Sequence, residues 1–152
     1  MKLHKGDAAP PFSVLDQTRK EKTLGSYGGQ WLLLYFYPKD FTTGCTVEAC
    51  AFRDRFEDFK SKLAVVGVSA DSVESHQSFA EKHSLPFTLL ADTDRTMAMA
   101  YGVNGIMFSK RTSFLIDPRG KIQKVYASVK PGRHPVQILS DVTALTSPVA
   151  AR

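Results

Sequence analysis

The chain of 152 residues has only two cysteines, one tryptophan and four histidines. So few cysteines exclude a disulfide-stapled secreted scaffold and favour transient redox use of the pair. One Cys45-x4-Cys50 pair lacks two further ligands at the spacing of a zinc site. His4, His76, His83 and His134 are isolated from that pair and from one another, so no metal centre is expected. No apolar run approaches the ~20 residues of a membrane span, which removes the membrane as a partner. Residues 1–7 contain no apolar segment of the kind a secretory signal needs. A cytoplasmic home is the default expectation, although a mature organellar chain that has lost its transit peptide would read the same. The net charge is +5, yet the longest basic cluster is Lys110-Arg111. With no aromatic-basic pattern beside it, nucleic-acid binding is not expected. Repeats, low-complexity segments and linkers are also missing. One domain over residues 1–152 is therefore expected, with residues 147–152 a frayed tail.

What is present is an ordinary globular composition, 43% hydrophobic and 23% charged. Residues 12–15 and 22–24 flank a polar turn and predict a small hairpin. Residues 26–29 are expected to be a loop. Residues 31–37 (Trp-Leu-Leu-Leu-Tyr-Phe-Tyr) are apolar without alternation, as in a central strand buried on both faces, and Pro38 ends the run. Phe52, Phe56, Phe59 and Leu63 recur at 4-3-4 spacing and predict one helix from about residues 43–45 to about residue 62. Residues 64–69 form a second buried strand, and residues 73–83 a helix with Phe79 and Ala80 inward. A short strand over 87–91 follows Pro86. A helix over 95–101 stops at Gly102. Strands over 113–116 and 122–129 are joined by the turn Asp117-Pro118-Arg119-Gly120, and a last helix runs from Pro135 to about Leu145. This order predicts an α/β fold: a mixed central sheet with helices on both faces and an N-terminal β-hairpin extension.

The cysteines differ in their surroundings. On a helical wheel with Phe52 at the origin, Cys45 falls at about 20° and Cys50 at about 160°. Cys45 faces inward in the first helical turn, where unpaired N–H groups and the positive dipole end favour the nucleophilic thiolate. Cys50 lies among Asp54 and Glu57 on the charged side, not where a packing cysteine belongs. Thr42 and Thr43 lie just upstream and can orient a substrate oxygen or cap the helix. Capping is expected of Thr43. Five residues of ideal helix separate the two Cα atoms by ~8.6 Å, whereas a disulfide needs roughly 4.4–6.8 Å. If the two bond, the first turns must unwind.

The stretch Tyr35-Phe36-Tyr37-Pro38-Lys39-Asp40-Phe41-Thr42-Thr43-Gly44-Cys45-Thr46-Val47-Glu48-Ala49-Cys50 contains Pro38-x3-Thr42-x2-Cys45. It resembles the peroxidatic motif of peroxiredoxins, and of their Q-type (bacterioferritin-comigratory) group in particular. Gly6-Asp7-Ala8-Ala9-Pro10-Pro11-Phe12, Phe87-Thr88-Leu89-Leu90-Ala91-Asp92 and Arg111-Thr112-Ser113-Phe114-Leu115-Ile116-Asp117 are similar to that group too. The resemblance covers about residues 5–145. It implies a thioredoxin-like fold and reduction of hydrogen peroxide and organic hydroperoxides, with no organic cofactor or metal.

By the same resemblance, Cys45 would attack the peroxide and Cys50 would resolve the sulfenic acid to a Cys45–Cys50 disulfide. A thioredoxin-type donor would reduce it. Thr42 would bind the peroxide oxygens, Pro38 would shield Cys45 from water, and Arg111 would hold the thiolate and polarise the peroxide. Glu48 either supports Arg111 or is a solvated first-turn acid. Members of the group often act as monomers and some pair. The loops carrying Phe41 and Phe108 suit a hydroperoxide tail or a contact. Two other readings stay open: a general disulfide oxidoreductase, whose spacing would be C-x2-C, and a peroxide sensor.

Overall fold

The structure is a computed structural model and describes residues 3–105, 110–127 and 130–146. Among them the strands are β1 (Ser13–Leu15), β2 (Glu21–Thr23), β3 (Trp31–Phe36), β4 (Leu63–Ser69), β5 (Thr88–Ala91), β6 (Thr112–Ile116) and β7 (Ile122–Tyr126). The helices are α1 (Thr43–Asp54), α2 (Phe56–Phe59), α3 (Val73–His83), α4 (Thr96–Ala100) and α5 (His134–Thr146). Phe108, the end of the expected strand over 122–129 and the tail over 147–152 lie outside the described residues.

Five strands form one sheet in the order β5-β4-β3-β6-β7, with β3 at its centre. β3 runs parallel to β4 and antiparallel to β6. The mixed sheet predicted from the β-α-β order and the late hairpin is what forms. β3 lacks alternation because both its faces are covered. Leu33 and Tyr35 point into a core with Phe52, Phe59, Phe79 and Ile138 from α1, α2, α3 and α5. Leu32, Leu34 and Phe36 point into a second core with Met97, Ala98 and Tyr101 around α4 and with Phe12 from the N-terminal segment. Leu33, Leu34 and Phe36 are 0% exposed. Burying a side chain of this size favours folding by about 1.5–3 kcal/mol, which is why this run specifies the middle of the sheet.

The β1–β2 hairpin leans on the outer edge of β5. The Gln17 side chain donates to Phe87 O at 3.0 Å and accepts from Leu89 N–H at 2.9 Å. A side-chain amide thus occupies main-chain groups that an open sheet edge would offer to another chain. Part of the expected loop at 26–29 is instead the end of a 3-10 turn, Leu24–Tyr27, capped by Thr23.

The single helix expected from the 4-3-4 aromatic spacing is two. After Asp54 the ladder tightens, and Arg55 N–H reaches Phe52 O at 3.2 Å, three residues back. Arg55 itself has φ −112° and ψ 12°. Leu63 belongs to no helix. It opens β4 and pairs with Trp31, so its place in the aromatic stripe is a coincidence of spacing. The chain must end its helix early enough to enter β4 in register with β3, and that tertiary demand overrides the helical period.

Candidate active site

The site stands at the C-terminal end of β3, where the chain turns through residues 37–42 into α1. Phe41 turns the corner with φ 65°, a left-handed conformation uncommon for a bulky side chain. Thr42 then occupies the cap position of α1. Capping was expected of Thr43, which instead is the first residue inside the helix. The Thr42 side chain makes no capping bond either. Its hydroxyl donates to Lys39 O at 2.8 Å, across the loop. Thr42 is exposed.

Cys45, Glu48, Ala49 and Phe52 are the buried residues of α1. Their spacing is one helical face, and Cys45 is 1% exposed. The inward placement read from the wheel is correct. Cys50 lies off that face, half-buried, and both cysteines are free thiols. Pro38 is half-buried just after β3.

Arg111, just before β6, reaches under the start of α1. Its Nη2 donates to Cys45 Sγ at 3.2 Å, and its Nη1 donates to Glu48 Oε1 at 2.7 Å. β6 lies directly beside β3 in the sheet, so a residue distant in sequence meets the helix that follows β3. The approach depends on Gly44, where a Cβ would stand 3.0 Å from Arg111 Nη2. Pro131 of the β7–α5 connection closes over the same glycine, 3.8 Å from that position.

Glu48 is not a solvated acid. It is 0% exposed, and Oε2 finds no partner among the described residues. Burial pushes its carboxyl up to about 7, even though the Arg111 charge pulls the other way. Burial also opposes the charge on Arg111, but Glu48 and Cys45 outweigh it and raise its value. Burial holds Tyr35, near Glu48 and Cys45, well above the usual phenol range, so it stays protonated. His134 at the start of α5 shares a 2.7 Å hydrogen bond with Ser113. Burial pushes it down to about 4, so it is neutral.

The described contacts therefore join Cys45, Glu48 and Arg111 directly, while Pro38 and Thr42 are carried by the adjoining loop. Sequence reasoning missed what lies beneath that loop. Asp40 is buried against His76 of α3, with Oδ2 2.7 Å from His76 Nδ1. The available signal was an imidazole three residues before Phe79, on the inward face of α3. Asp40, Asp71 and His76 place carboxylate and imidazole atoms within 4.8 Å of one another. Those atoms already have hydrogen-bond partners in Tyr37, Ser69, Ser75 and Leu90.

The chain matches the AhpC/TSA family over residues 5–125. It is 43% identical to the chloroplastic peroxiredoxin Q of Sedum lineare over 138 residues, 88% of this chain and 74% of that one. It is 42% identical to a putative peroxiredoxin bcp of Coxiella burnetii over 148 residues, 91% of this chain and 98% of that one. Among solved structures, a cysteine-to-serine mutant of Xylella fastidiosa PrxQ superposes with a TM-score of 0.92 at 32% identity, covering 97% of this chain and 99% of that one. The peroxidoxin BcpB of Mycobacterium tuberculosis gives 0.90 at 34% identity, covering 95% and 99%. A structure of Xanthomonas campestris bacterioferritin comigratory protein, concerned with its alkyl peroxide reduction, gives 0.85 at 30% identity, covering 90% and 92%. The thioredoxin-like fold and the resemblance read from the cysteine motif are both met. With its buried cysteine under an arginine at a helix start, this chain belongs to the AhpC/TSA family, as a thiol-dependent peroxidase of the peroxiredoxin Q/bcp kind.

Proposed function

We propose that Cys45 is the peroxidatic cysteine and Cys50 the resolving one, and that the substrates are hydrogen peroxide and organic hydroperoxides. The observation that supports this most directly is the Arg111 fork, one nitrogen on Cys45 Sγ and the other on Glu48. A guanidinium beside the sulfur stabilises the thiolate and offers charge to the peroxide oxygens as the O–O bond breaks. Thr42, its hydroxyl hydrogen already given to Lys39 O, accepts the O–H of the incoming hydroperoxide. Pro38 limits the water that reaches the sulfur. Glu48 orients Arg111.

The Cys45 thiolate attacks the terminal peroxide oxygen. An S–O bond forms, the O–O bond breaks, and its electron pair leaves on the alkoxide, which takes a proton as the alcohol. Cys45 is now a sulfenic acid. The Cys50 thiolate attacks that sulfur, an S–S bond forms, and hydroxide leaves and is protonated to water. A thioredoxin-type dithiol then reduces the disulfide and is itself oxidised. Every group named lies on one chain within one domain, so a monomer suffices, and the dithiol requirement suits a reducing compartment such as the cytoplasm.

Peroxide consumption by wild type, Cys45→Ser and Cys50→Ser with thioredoxin as donor tests this. Cys45→Ser is expected to give no turnover. Cys50→Ser is expected to give one fast oxidation and little cycling. Full multiple turnover by Cys45→Ser would exclude the assignment.

A further inference from the structure

The peroxidatic loop rests on a buried carboxylate–imidazole pair that the chemistry above does not use. Asp40 stands midway between Pro38 and Thr42, and its carboxylate is surrounded by donors. Tyr37 OH donates to Oδ1 at 2.6 Å. Ser75 Oγ donates to Oδ2 at 2.9 Å, and His76 Nδ1 lies 2.7 Å from the same oxygen. The Asp40 N–H donates to Asp71 Oδ2 at 2.8 Å. His76 Nε2 faces Leu90 O of β5 at 2.9 Å. That carbonyl only accepts, so Nε2 carries a proton. One side chain of the loop is thereby tied to α3 and, through His76, to β5, while its backbone is tied through Asp71 to the end of β4.

A carboxylate–imidazole pair whose side chains are 1% and 0% exposed is a poor way to gain stability, since apolar residues of similar size do as well or better. In some folds the gain from a buried polar pair is a unique register instead. Here the register is that of residues 38–42. The Lys39 carbonyl, whose oxygen receives the Thr42 hydroxyl, shares its peptide unit with the anchored Asp40 nitrogen. Phe41, with φ 65°, is the next residue, and its ring rests on Phe79 of α3 at 5.1 Å. The chain is pinned up to Asp40, turns at Phe41 and then enters the helix that the Cys45–Cys50 step requires to unwind.

We infer that Asp40, locked by His76 and Ser75, is a positioning residue: the fixed end of the peroxidatic loop, which sets Thr42 for attack and stays in place when the first turns of α1 come apart. The second half of this inference rests on the Cys45–Cys50 cycle proposed above.

The test separates oxidation from resolution. Stopped-flow and rapid quench on Asp40→Ala and Ser75→Ala give the second-order constant for Cys45 oxidation and the first-order constant for disulfide formation, beside Tm. Asp40→Ala is expected to lower the oxidation constant by at least about tenfold, as misplacing an orienting group does. Ser75→Ala removes one donor and leaves the Asp40–His76 contact intact, so a smaller loss in the same constant is expected. Disulfide formation is expected not to slow in either. If Asp40→Ala does not fold, Ser75→Ala decides. Unchanged oxidation constants, or oxidation and resolution falling together with Tm, would overturn the positioning role. In oxidised wild type, the Asp40 amide is expected to keep its hydrogen-exchange protection while residues 45–50 lose theirs. Loss of protection at Asp40 as well would overturn the fixed end. Absence of any wild-type disulfide would instead sink the cycle and leave the oxidation test standing.

Discussion

Gly44 lies so close beneath Arg111 that a Cβ there would stand 3.0 Å from Nη2, the nitrogen that donates to Cys45 Sγ. The glycine is in the first turn of α1 with ordinary helical backbone, so its role is space and not conformational freedom. Gly44→Ala is expected to raise helix propensity by up to about 1 kcal/mol. It also displaces the guanidinium by a few tenths of an ångström. The expected outcome is a protein at least as stable in urea, with Cys45 oxidation slowed by about tenfold. Wild-type oxidation kinetics in this variant would show that the arginine contact is dispensable.

Arg111 serves two acceptors with two nitrogens of one planar group. A lysine has a single ammonium and cannot reproduce that fork. Arg111→Lys is expected to slow Cys45 oxidation by about 10²-fold, in the range found when one donor to a developing oxyanion is removed. Charge is retained in this variant, so a near-wild-type constant would mean that net charge alone matters and the fork does not.

Glu48 makes stability depend on pH in a direction opposite to most carboxylates. Its folded value, about 7, lies above the ordinary 4.5. The folded state therefore holds an extra proton between those values. The stabilisation is complete below about 4.5 and is lost as pH rises to about 7. His134 acts the other way. Its folded value is about 4 against an ordinary 6.5, so its contribution is complete above 6.5 and lost as pH falls towards 4. Glu48→Gln abolishes only the first effect. The stability of the variant relative to wild type is expected to rise by on the order of 3 kcal/mol between pH 4.5 and pH 7.5. Urea titrations across that range measure it, and a difference that stays constant would refute the burial argument.

The proposed Cys45–Cys50 disulfide step is also a local unfolding step. Both cysteines are free, and both lie within the intact helix Thr43–Asp54. Five helical residues hold their Cα atoms ~8.6 Å apart, beyond disulfide reach. Hydrogen exchange over residues 43–52 is expected to be slow in the reduced protein and fast in the oxidised one. Equal protection in both states, with the bond shown by mass spectrometry, would exclude unwinding.

Most of the site's first layer was legible. Cys45 could be placed inward because a helical wheel needs only local spacing, and the same wheel separates it from Cys50. It also puts Glu48 at about 40° from Phe52, inside the apolar stripe. A charged residue there signals a buried partner, and that signal was weaker than the general rule that glutamates are solvated. Glu48 was also expected to be a first-turn acid, whereas α1 starts at Thr43 and has no acid in its first turn. Thr42 was distinguished from Thr43 by resemblance, not by physics. The cap position was misassigned because it depends on where the left-handed turn at Phe41 falls. The break at Arg55 and the entry of Leu63 into β4 were hidden because the aromatic spacing fits one long helix equally well.

By itself the sequence determined the sheet's central strand, the helix that carries Cys45, the order of elements and the inward face on which Cys45 lies. Each of these depends on residues within a few positions of one another, where periodicity and hydrogen-bonding geometry act directly. Only the tertiary structure decided that Arg111, just before the strand beside β3, reaches Cys45 and Glu48 across a glycine. It alone brought His76 under Asp40 to hold the loop between them. Those contacts link residues 36 to 66 positions apart, and no local period encodes which distant side chain the packed sheet will bring to a buried charge.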